Sequence, residues 1–410
     1  MKIWHVFASH KWTGPAEGVV TLCRDLKNRG HDVRLFCTPN PRRLLADQAV
    51  RRGVTPESDL WLAPKHPVLT ALDIRRLKQM LRRERPDILH LHLSSDHWIG
   101  GLAARWAKGT TRIEQRADAS VGKGEAPKGG DRFEICPHPG GGMVAPPIIV
   151  RTIHHPQTIQ SRPFRSRLYE SLTDGFITLC KRDREALRQT YCIGPKPVSV
   201  IHGAVDTTRF HSDAEARLGR AEFGLKMTTP VIGMVARFQP HRRHDLMIAA
   251  MDRLQKSVPL IRLILVGRGE HRPVIEQLVR GRGLDQRVIF AGYRDRDLPQ
   301  IYAAMDILVM PAAGSDGSCR AALEAMAVGR PVVGFPVGAL PETIVEGVTG
   351  HLVPEGDAEA LADCLSALLS DRPRMQAMGE AARKRIEAEF TEALRVRKTE
   401  EFYNSLIAKR

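Results

Sequence analysis

The fold of this chain is constrained most by two successive series of short apolar runs. In both series, each run is followed by an amphipathic helical stretch. The first unit is "MKIWHVFAS", a loop "KWTGPAEG", and "VVTLCRDLKNRGHDVRLFC", which predict a strand, a loop, a helix ending at Arg29-Gly30, and a second strand. Strands joined through a helix in this way run parallel. Apolar runs at 87–93, 148–155 and 175–180 continue the alternation, so the first half predicts an open α/β sheet.

The alternation restarts in the second half of the chain, with apolar runs at 230–238, 261–267, 287–293, 306–311 and 330–336. A polar, glycine-containing segment near residues 200–228 separates the two series and is typical of an interdomain boundary. The predicted fold class is therefore α/β, with two Rossmann-like, doubly wound parallel sheets that face a central cleft. The predicted domains are residues 1–200 and 201–388.

One segment interrupts the pattern. Residues 116–147 contain seven Gly and five Pro, a composition that does not bury a core easily. We interpret it as a loop insertion in the first domain. Two alternatives stay open, a lid over an acceptor and a surface loop without a role.

Composition excludes several classes of protein. The seven cysteines are scattered, with no C-x-x-C pair, which argues against a disulfide framework and a zinc site. No apolar run is long enough to span a bilayer, and the first residues lack the pattern of a signal peptide, so we expect a cytoplasmic protein. The net charge of +16 points to an anionic partner such as nucleic acid, a membrane surface or a phosphorylated substrate.

The segment "PAAGSDGSCRAALEAM" carries two carboxylates around a predicted strand-to-helix turn. The strand is expected to end at Met310-Pro311 and the helix to begin near Ser318, so that free backbone amides near Gly317 and Ser318 face a phosphate. Asp316 would accept hydrogen bonds from sugar hydroxyls, and Glu324 would reach a ribose diol. The alternative is that Asp316 caps the helix and Glu324 is a solvated surface charge.

Basic residues follow another predicted strand. In "ARFQPHRRHDLMIAA", Arg237 stands just past the strand end and Arg242 five residues later, so both could reach a diphosphate. The alternative is a pair of basic residues on a solvated loop. A glycine turn at Gly267 and Gly269 is only a weak sign of nucleotide binding.

Taken in order, these segments resemble the retaining glycosyltransferases of the GT-B fold, in the large family 4 (group 1) type. The resemblance includes "GPAEGVVTLCRDLKNRGHDV", "SVIHGAVDTTRF", "LILVGRGEHRPVIEQL" and "EAMAVGRPVVGFPVGALPETIVEGVTGHLVPEGD" and covers nearly the whole chain. It implies a helix at 389–410 that returns to the first domain. The chain departs from the family pattern at Asp316, where relatives have glutamate, and at Arg243, where they have glycine. The shorter Asp316 side chain reaches about 1.5 Å less.

The resemblance also implies roles for individual residues. Asp316 would contact the donor sugar, Glu324 the ribose, and Arg237 and Arg242 the diphosphate. The remaining donor-binding and catalytic positions are Gly14 in the loop after the first strand, Gly292 and Tyr293 beside the base, Gly317, Ser318 and Cys319 at the helix start, and His154, which faces the reacting sugar.

Two histidine positions have structural alternatives. His154 and His92 could each be a histidine whose ring is satisfied by local backbone groups, and this alternative is stronger for His92. We do not expect the His90-x-His92 pair to bind a metal, because alternate residues on one strand lack further clustered ligands.

The function implied is transfer of a sugar from a nucleotide-diphosphate-sugar to a hydroxyl of a glycan or lipid-linked acceptor, with retention and without a metal or other cofactor. The basic segment "ALDIRRLKQMLRRERPD" could bind an anionic membrane through Leu72, Ile74, Leu77 and Leu81, or pack its apolar face on the sheet. Alternatives with the same fold are a nucleotide-sugar epimerase, a phosphorylase and an inactive relative that only binds the donor. Nucleic-acid binding has little support, since aromatic residues are only 5% of the chain.

Overall fold

Apolar runs of the first half form a parallel sheet of six strands in the order β2-β1-β3-β4-β5-β6. The computed structural model describes residues 1–39, 44–63, 66–108, 146–154, 159, 163–211, 215–314 and 316–410. The strands of this sheet are β1 (Lys2–Phe7), β2 (Asp32–Cys37), β3 (Ile88–Leu91), β4 (Ile148–Ile153), β5 (Gly175–Thr178) and β6 (Val198–Val200). Its helices are α1 (Gly14–Asn28), α2 (Leu44–Arg51), α3 (Pro67–Glu84), α4 (Ser94–Lys108), α5 (Pro163–Leu172) and α6 (Lys181–Thr190).

The second half forms another six-stranded parallel sheet, in the order β12-β11-β10-β7-β8-β9. Its strands are β7 (Val231–Val235), β8 (Arg262–Val266), β9 (Val288–Gly292), β10 (Ile307–Met310), β11 (Val332–Gly334) and β12 (Gly350–Leu352). The helices of this half are α7 (Ala216–Glu222), α8 (His244–Ser257), α9 (Arg272–Gly281), α10 (Leu298–Ala304), α11 (Arg320–Ala327), α12 (Leu340–Thr343), α13 (Ala358–Ser370), α14 (Arg372–Glu389) and α15 (Glu392–Ile407). The prediction of two doubly wound parallel sheets is confirmed.

Helix α1 shows how local sequence signals set an element. The Thr13 hydroxyl accepts a hydrogen bond from the amide of Ala16, and Pro15 occupies the first turn, where a missing N–H costs nothing. The helix ends at Asn28, and Gly30 follows with a left-handed φ of 86°. The predicted helix stop at Arg29-Gly30 is therefore confirmed.

Two short strands were missed by the sequence analysis. β6 ends where the segment interpreted as interdomain connection begins, and β12 follows the last predicted strand. Each has three residues and stands at the edge of its sheet, so neither shows a readable periodicity. The predicted insertion at 116–147 lies outside the described residues except for Pro146 and Pro147.

The last helix, α15, packs on the first sheet rather than on the second. Phe402, Tyr403 and Leu406 join a buried cluster with residues of β1, β3, β4 and β5. At Gly175, the first residue of β5, a Cβ atom would lie 2.9 Å from side-chain atoms of Leu406 and Phe402, so the close approach of this helix requires glycine.

Helix α3 places most of its apolar face against the sheet. Ile74, Leu77 and Leu81 are buried, whereas Leu72 is 51% exposed. Three of the four apolar residues therefore follow the packing alternative. Among the helices of the described ranges, none combines the length and apolar character that a membrane span requires.

The first sheet buries an unusual number of histidines. His5 in β1, His90 and His92 in and after β3, and His97 in α4 are all at most 2% exposed. His90 lies between the hydroxyl groups of Tyr403 and Thr152, each at 2.6 Å, and His97 Nε2 lies 2.7 Å from the Thr173 hydroxyl. Burial lowers the pKa of His5 to about 3 and holds the pKa values of His90, His92 and His97 well below the ordinary value. These imidazoles are neutral at pH 7.

This burial predicts a stability that depends on pH. The unfolded chain protonates its histidines near pH 6.5 while the native protein does not, so the free energy of unfolding is fully retained above that pH and falls as the pH drops toward the native pKa values, by about 1.4 kcal/mol per pH unit for each histidine. Urea unfolding at pH 7, 6 and 5 measures the slope. The His97→Gln variant should lose less stability than the native chain over this range. The difference between the two proteins should stay constant between pH 7.5 and 8.5, and equal slopes below pH 6.5 would contradict the explanation.

Candidate active site

A cleft of about 400 Å³ opens where the carboxyl ends of the two sheets face each other. Its walls come from the loop and first turn of α1 on one side and from the ends of β7, β8, β9 and β10 on the other. We call it the larger cleft. Six of the predicted site residues line this cleft: Gly14, Arg237, Arg242, Tyr293, Asp316 and Glu324.

Arg242 ends a 3-10 turn, Pro240–Arg242, that follows β7. Its side chain is only 6% exposed, and Nη1 donates to the backbone oxygen of Ala313. Nε is buried and has no hydrogen-bond partner among the described residues. Burial lowers the pKa of Arg242 and Arg237 lowers it further, while Asp316 opposes both. Arg242 lines the cleft, and a guanidinium held in a fixed position there is suited to bind phosphate oxygens.

The departure from the family pattern at Arg243 falls on a strained backbone position. Arg243 has φ of 59° and ψ of 39°, in the left-handed region that favours glycine. Its guanidinium lies 3.6 Å from the Asp245 carboxylate, and it is not among the residues that line the larger cleft. Arg243 is therefore a surface residue beside the site.

Asp316 belongs to a tight turn before α11. Its Oδ1 accepts hydrogen bonds from the amide of Ser318 at 3.0 Å and from the Ser318 hydroxyl. The side chain is 6% exposed and borders the larger cleft. The alternative that Asp316 caps helix α11 is wrong, because the helix begins at Arg320 and Cys319 is its N-cap. One oxygen of Asp316 instead caps the turn at Ser318.

The prediction that the backbone amides of Gly317 and Ser318 are free to bind a phosphate is wrong. The Gly317 amide donates to the backbone oxygen of His154 at 2.8 Å, across the two halves of the chain, and the Ser318 amide is taken by Asp316. Helix α11 begins at Arg320, not near Ser318, because Cys319 has a left-handed φ of 53°. The helix start that lines the larger cleft is formed by Arg320 and Ala321.

Three predicted binding residues, Gly292, Gly317 and Cys319, line neither the larger cleft nor the smaller cavity beside it. The Cys319 thiol is fully buried and donates to the backbone oxygen of Val337 at 3.3 Å, so its side chain does not face a ligand. Gly292 ends β9 with a φ of 72° and accepts from the Gly267 amide at 2.8 Å. Its role is to turn the chain so that Tyr293, 49% exposed, reaches the cleft, with the Arg268 guanidinium 4.6 Å from the ring.

Glu324 is buried at the floor of the larger cleft and is oriented by two neighbours. Tyr302 donates its hydroxyl proton to Oε2 at 2.8 Å, and Arg320 Nε donates to Oε1 at 2.6 Å. A carboxylate offers about four acceptor sites, and the hydrogen bonds described for Glu324 fill two of them. The alternative of a solvated surface charge is wrong, since Glu324 is 6% exposed.

Arg320 and Glu17 were not given a role by the sequence analysis. Arg320 Nη2 lies 2.9 Å from Oε1 of Glu17, which is in α1 of the first half, and thereby joins the two halves at the cleft. The available signal was the spacing of four residues between Arg320 and Glu324, which places their side chains on one helix face. Glu17 gives no comparable signal, because its partner is remote in sequence.

A smaller cavity lies next to the larger cleft, and Gly14, Asp316 and Arg320 border both. We call it the histidine cavity, because its lining includes His90, His92, His154 and His202. Ser318 lines it as well. His154 Nε2 lies 3.2 Å from Nδ1 of His92, so within the described ranges this ring is held by a side chain. Burial, and then the Arg151 guanidinium, lower the pKa of His154 to about 3.

The prediction that no further metal-ligating side chain lies beside His90 and His92 is wrong. His5 on the neighbouring strand β1 brings a third imidazole, and one nitrogen of each of the three rings lies within 4.8 Å of the others. In the described structure these rings are engaged by one another and by hydroxyl groups: His5 Nδ1 lies 3.0 Å from His92 Nε2, and both His90 nitrogens contact hydroxyls.

Comparison with known proteins supplies the family. Residues 217–385 match the model of glycosyl transferases group 1, and residues 12–113 match that of glycosyltransferase family 4. Over 187 residues the chain is 35% identical to a GDP-mannose-dependent alpha-(1-6)-phosphatidylinositol monomannoside mannosyltransferase of Mycolicibacterium smegmatis, covering 44% of this chain and 49% of that one. It is 30% identical over 247 residues to a D-inositol 3-phosphate glycosyltransferase of Corynebacterium aurimucosum, covering 57% and 58%. The chain thus spans about half the length of these curated relatives.

Solved structures agree over the whole chain. A glycosyltransferase from Rickettsia africae superposes with a TM-score of 0.78 at 18% identity, covering 99% of this chain and 98% of that one. An Anabaena protein solved in complex with UDP and glucose superposes with a TM-score of 0.76 at 18% identity, covering 99% and 100%. At this identity the likeness shows the fold. With the two family matches, it shows that the chain belongs to the GT-B glycosyltransferases of the family 4, group 1 type.

Proposed function

We propose that this protein transfers a sugar from a nucleotide-diphosphate-sugar to a hydroxyl of a glycan or lipid-linked acceptor, with retention of anomeric configuration. One observation carries the proposal: Arg237 and Arg242, from the segment after β7, line the same cleft between two sheets as Asp316 and Glu324, from the segment after β10. The Mycolicibacterium relative is named for GDP-mannose and the Anabaena structure contains UDP and glucose, which supports a nucleotide-sugar donor.

The proposed chemistry uses charge rather than a covalent group from the protein. Breaking the bond between the anomeric carbon and the phosphate oxygen leaves a diphosphate anion and a ring with oxocarbenium character. Arg237 and Arg242 would stabilise the anion, so no metal ion is required in this proposal. The acceptor hydroxyl would attack from the face that the diphosphate leaves, and the diphosphate would take its proton. The free oxygen of Asp316 would hold a sugar hydroxyl between the two cavities.

Nucleoside diphosphate release tests the reaction. The protein is incubated with UDP-, GDP- and ADP-sugars, with and without lipid-linked and glycan acceptors, in the presence of EDTA. We expect release of the nucleoside diphosphate to depend on the acceptor and to persist in EDTA. Conversion of the sugar without an acceptor would indicate an epimerase, and a requirement for inorganic phosphate would indicate a phosphorylase. Either result would reject the transferase proposal.

Arg242→Gln should weaken binding of free UDP or GDP by about tenfold to a hundredfold, because hydrogen bonds to charged groups contribute about 1.5–3 kcal/mol. Calorimetric titration of the diphosphate measures the Kd. Arg243→Gln is the matched control, since it removes the same charge one residue away without changing the lining of the cleft. Equal effects of the two substitutions would mean that only the overall positive charge matters.

The Asp316 position separates an active enzyme from a relative that only binds its donor. Asp316→Asn keeps the acceptor for Ser318 but removes the charge, and should lower kcat/KM by about a hundredfold, since it removes a charged contact to the reacting sugar. Asp316→Glu restores the family side chain and should retain measurable transfer. Diphosphate binding with no turnover in the native chain and in Asp316→Glu would establish the binding-only alternative.

We also propose that the enzyme works at the cytoplasmic face of a membrane that contains anionic lipid, as a component of cell-envelope glycan synthesis. Three large apolar side chains are exposed before and within the first turns of α3: Trp61 at 55%, Val68 at 63% and Leu72 at 51%. Trp61 is tied to this helix because its amide donates to Asp73 at 2.8 Å. Arg75 and Arg76 are exposed beside them, which supports contact with anionic headgroups.

Sedimentation with vesicles tests this surface. Binding should require anionic lipid, and Arg75→Gln/Arg76→Gln should weaken it about thirtyfold, since each basic residue near such a surface contributes about 1 kcal/mol. Val68→Ser/Leu72→Ser should weaken it as well. Leu260→Ser removes a leucine that is 66% exposed in the second half and serves as the control. Binding that is the same on neutral vesicles would exclude the electrostatic part of the proposal.

A further inference from the structure

Three imidazole rings form a hydrogen-bonded row that begins in the core of the first sheet and ends at the histidine cavity. His5 Nδ1 lies 3.0 Å from His92 Nε2, and His92 Nδ1 lies 3.2 Å from His154 Nε2. The three residues belong to neighbouring strands or their ends, β1, β3 and β4. His5 is fully buried and does not line the cavity, whereas His154 does.

The ring of His92 is held from its flank as well. His90 stacks on it with ring centroids 4.2 Å apart and an interplanar angle of 29°. His90 is itself fixed by the hydroxyls of Tyr403 and Thr152, one at each ring nitrogen. His90 therefore has no nitrogen left for the row, and its role is to pack His92 in place.

The row restricts the protonation of its members. The pKa values of His5 and His154 are about 3 and that of His92 is well below normal, chiefly because of burial, so all three rings are neutral at pH 7. A neutral imidazole has one N–H donor and one acceptor nitrogen. Each bond in the row joins an Nδ1 to an Nε2, so the three rings must share one tautomer: all carry the proton on Nδ1, or all on Nε2.

The buried end of the row selects between these two states. Nε2 of His5 is buried and has no hydrogen-bond partner among the described residues. If the rings were protonated on Nε2, this atom would be a buried N–H without an acceptor, which is the rarer and costlier defect in folded proteins. If they are protonated on Nδ1, the defect is one unfilled acceptor. The row is therefore polarised toward the cavity, with each Nδ1–H donating to the next ring.

We propose that His5 and His92 are positioning residues that hold His154 as the Nδ1–H tautomer, so that His154 acts as a fixed hydrogen-bond donor to a sugar or acceptor oxygen. The contact with the sugar rests on the proposed function, whereas the tautomer does not. In this arrangement His154 is not a general base, since its only acceptor nitrogen is occupied by His92. The nearby cation of Arg151 also disfavours proton uptake by His154.

The direct test is a long-range proton–nitrogen NMR spectrum, at pH 7, of the full-length protein labelled with ¹⁵N-histidine. The signals are assigned with variants in which one histidine at a time is replaced. His5, His92 and His154 should all show the pattern of Nδ1–H tautomers. An Nε2–H pattern or an imidazolium in any of the three would overturn the proposal. So would a stoichiometric metal ion in the purified protein, because a metal would replace the protons of the row.

A matched pair of substitutions at His5 tests the effect on His154 from a distance. His5→Asn places an amide N–H where Nδ1–H was and should leave the His154 signals unchanged, with kcat within about threefold of native. His5→Leu removes the donor, so His154 should become a mixture of tautomers and kcat should fall about tenfold. The KM for the nucleotide-sugar should stay the same in both variants, since His5 is remote from the larger cleft.

The NMR signals of His154 and the kcat measurements test different parts of the proposal. Unchanged His154 signals in His5→Leu would reject the positioning role even if kcat fell, because a general loss of packing could lower kcat. If His5→Leu does not fold, the native spectrum still decides the tautomer. If the protein transfers no sugar at all, the proposed function fails, while the spectra still test the row.

Discussion

One guanidinium group contacts both halves of this protein at their cleft. Arg320 contacts Glu17 of the first half at 2.9 Å and Glu324 of its own helix at 2.6 Å. Glu17 also lies 3.4 Å from Arg52 and 3.7 Å from Arg209. Burial opposes ionisation of Glu17, but these three arginines together lower its pKa, so the carboxylate stays charged. Buried ion pairs of this kind fix geometry more than they stabilise a fold, because desolvation offsets much of the attraction.

The same group connects the fold to the chemistry. Arg320 orients the carboxylate of Glu324, and Tyr302 holds its other oxygen, so the acid is fixed before a ligand arrives. Fixed polar groups stabilise charge without reorganising during the reaction. The arginine that joins the two halves is therefore also the one that aligns the acid in the cleft.

The sequence predicts the parts of this structure that local physics determines. Strands such as β7 and β10 are apolar runs bounded by turn residues, and α1 carries its own cap and stop, so each was readable without knowledge of its neighbours. The larger cleft was also predictable in outline, because side chains that follow parallel strands meet at one edge. Contacts between distant segments were not. His5 joins His92 only through strand pairing, and the Gly317 amide loses its freedom to His154, 163 positions earlier in the chain. In both pairs, the sequence pattern around one partner does not indicate the other.

The bond from Gly317 to His154 consists of backbone atoms alone. Replacing the His154 side chain leaves the accepting carbonyl in place, whereas a Cβ atom at Gly317 would lie 3.2 Å from Oδ2 of Asp183, so the donor position favours glycine. Only proline at 317 deletes the donor chemically. The seam between the halves therefore combines an ionic contact, which one side-chain substitution removes, with a peptide contact that a substitution at His154 leaves in place.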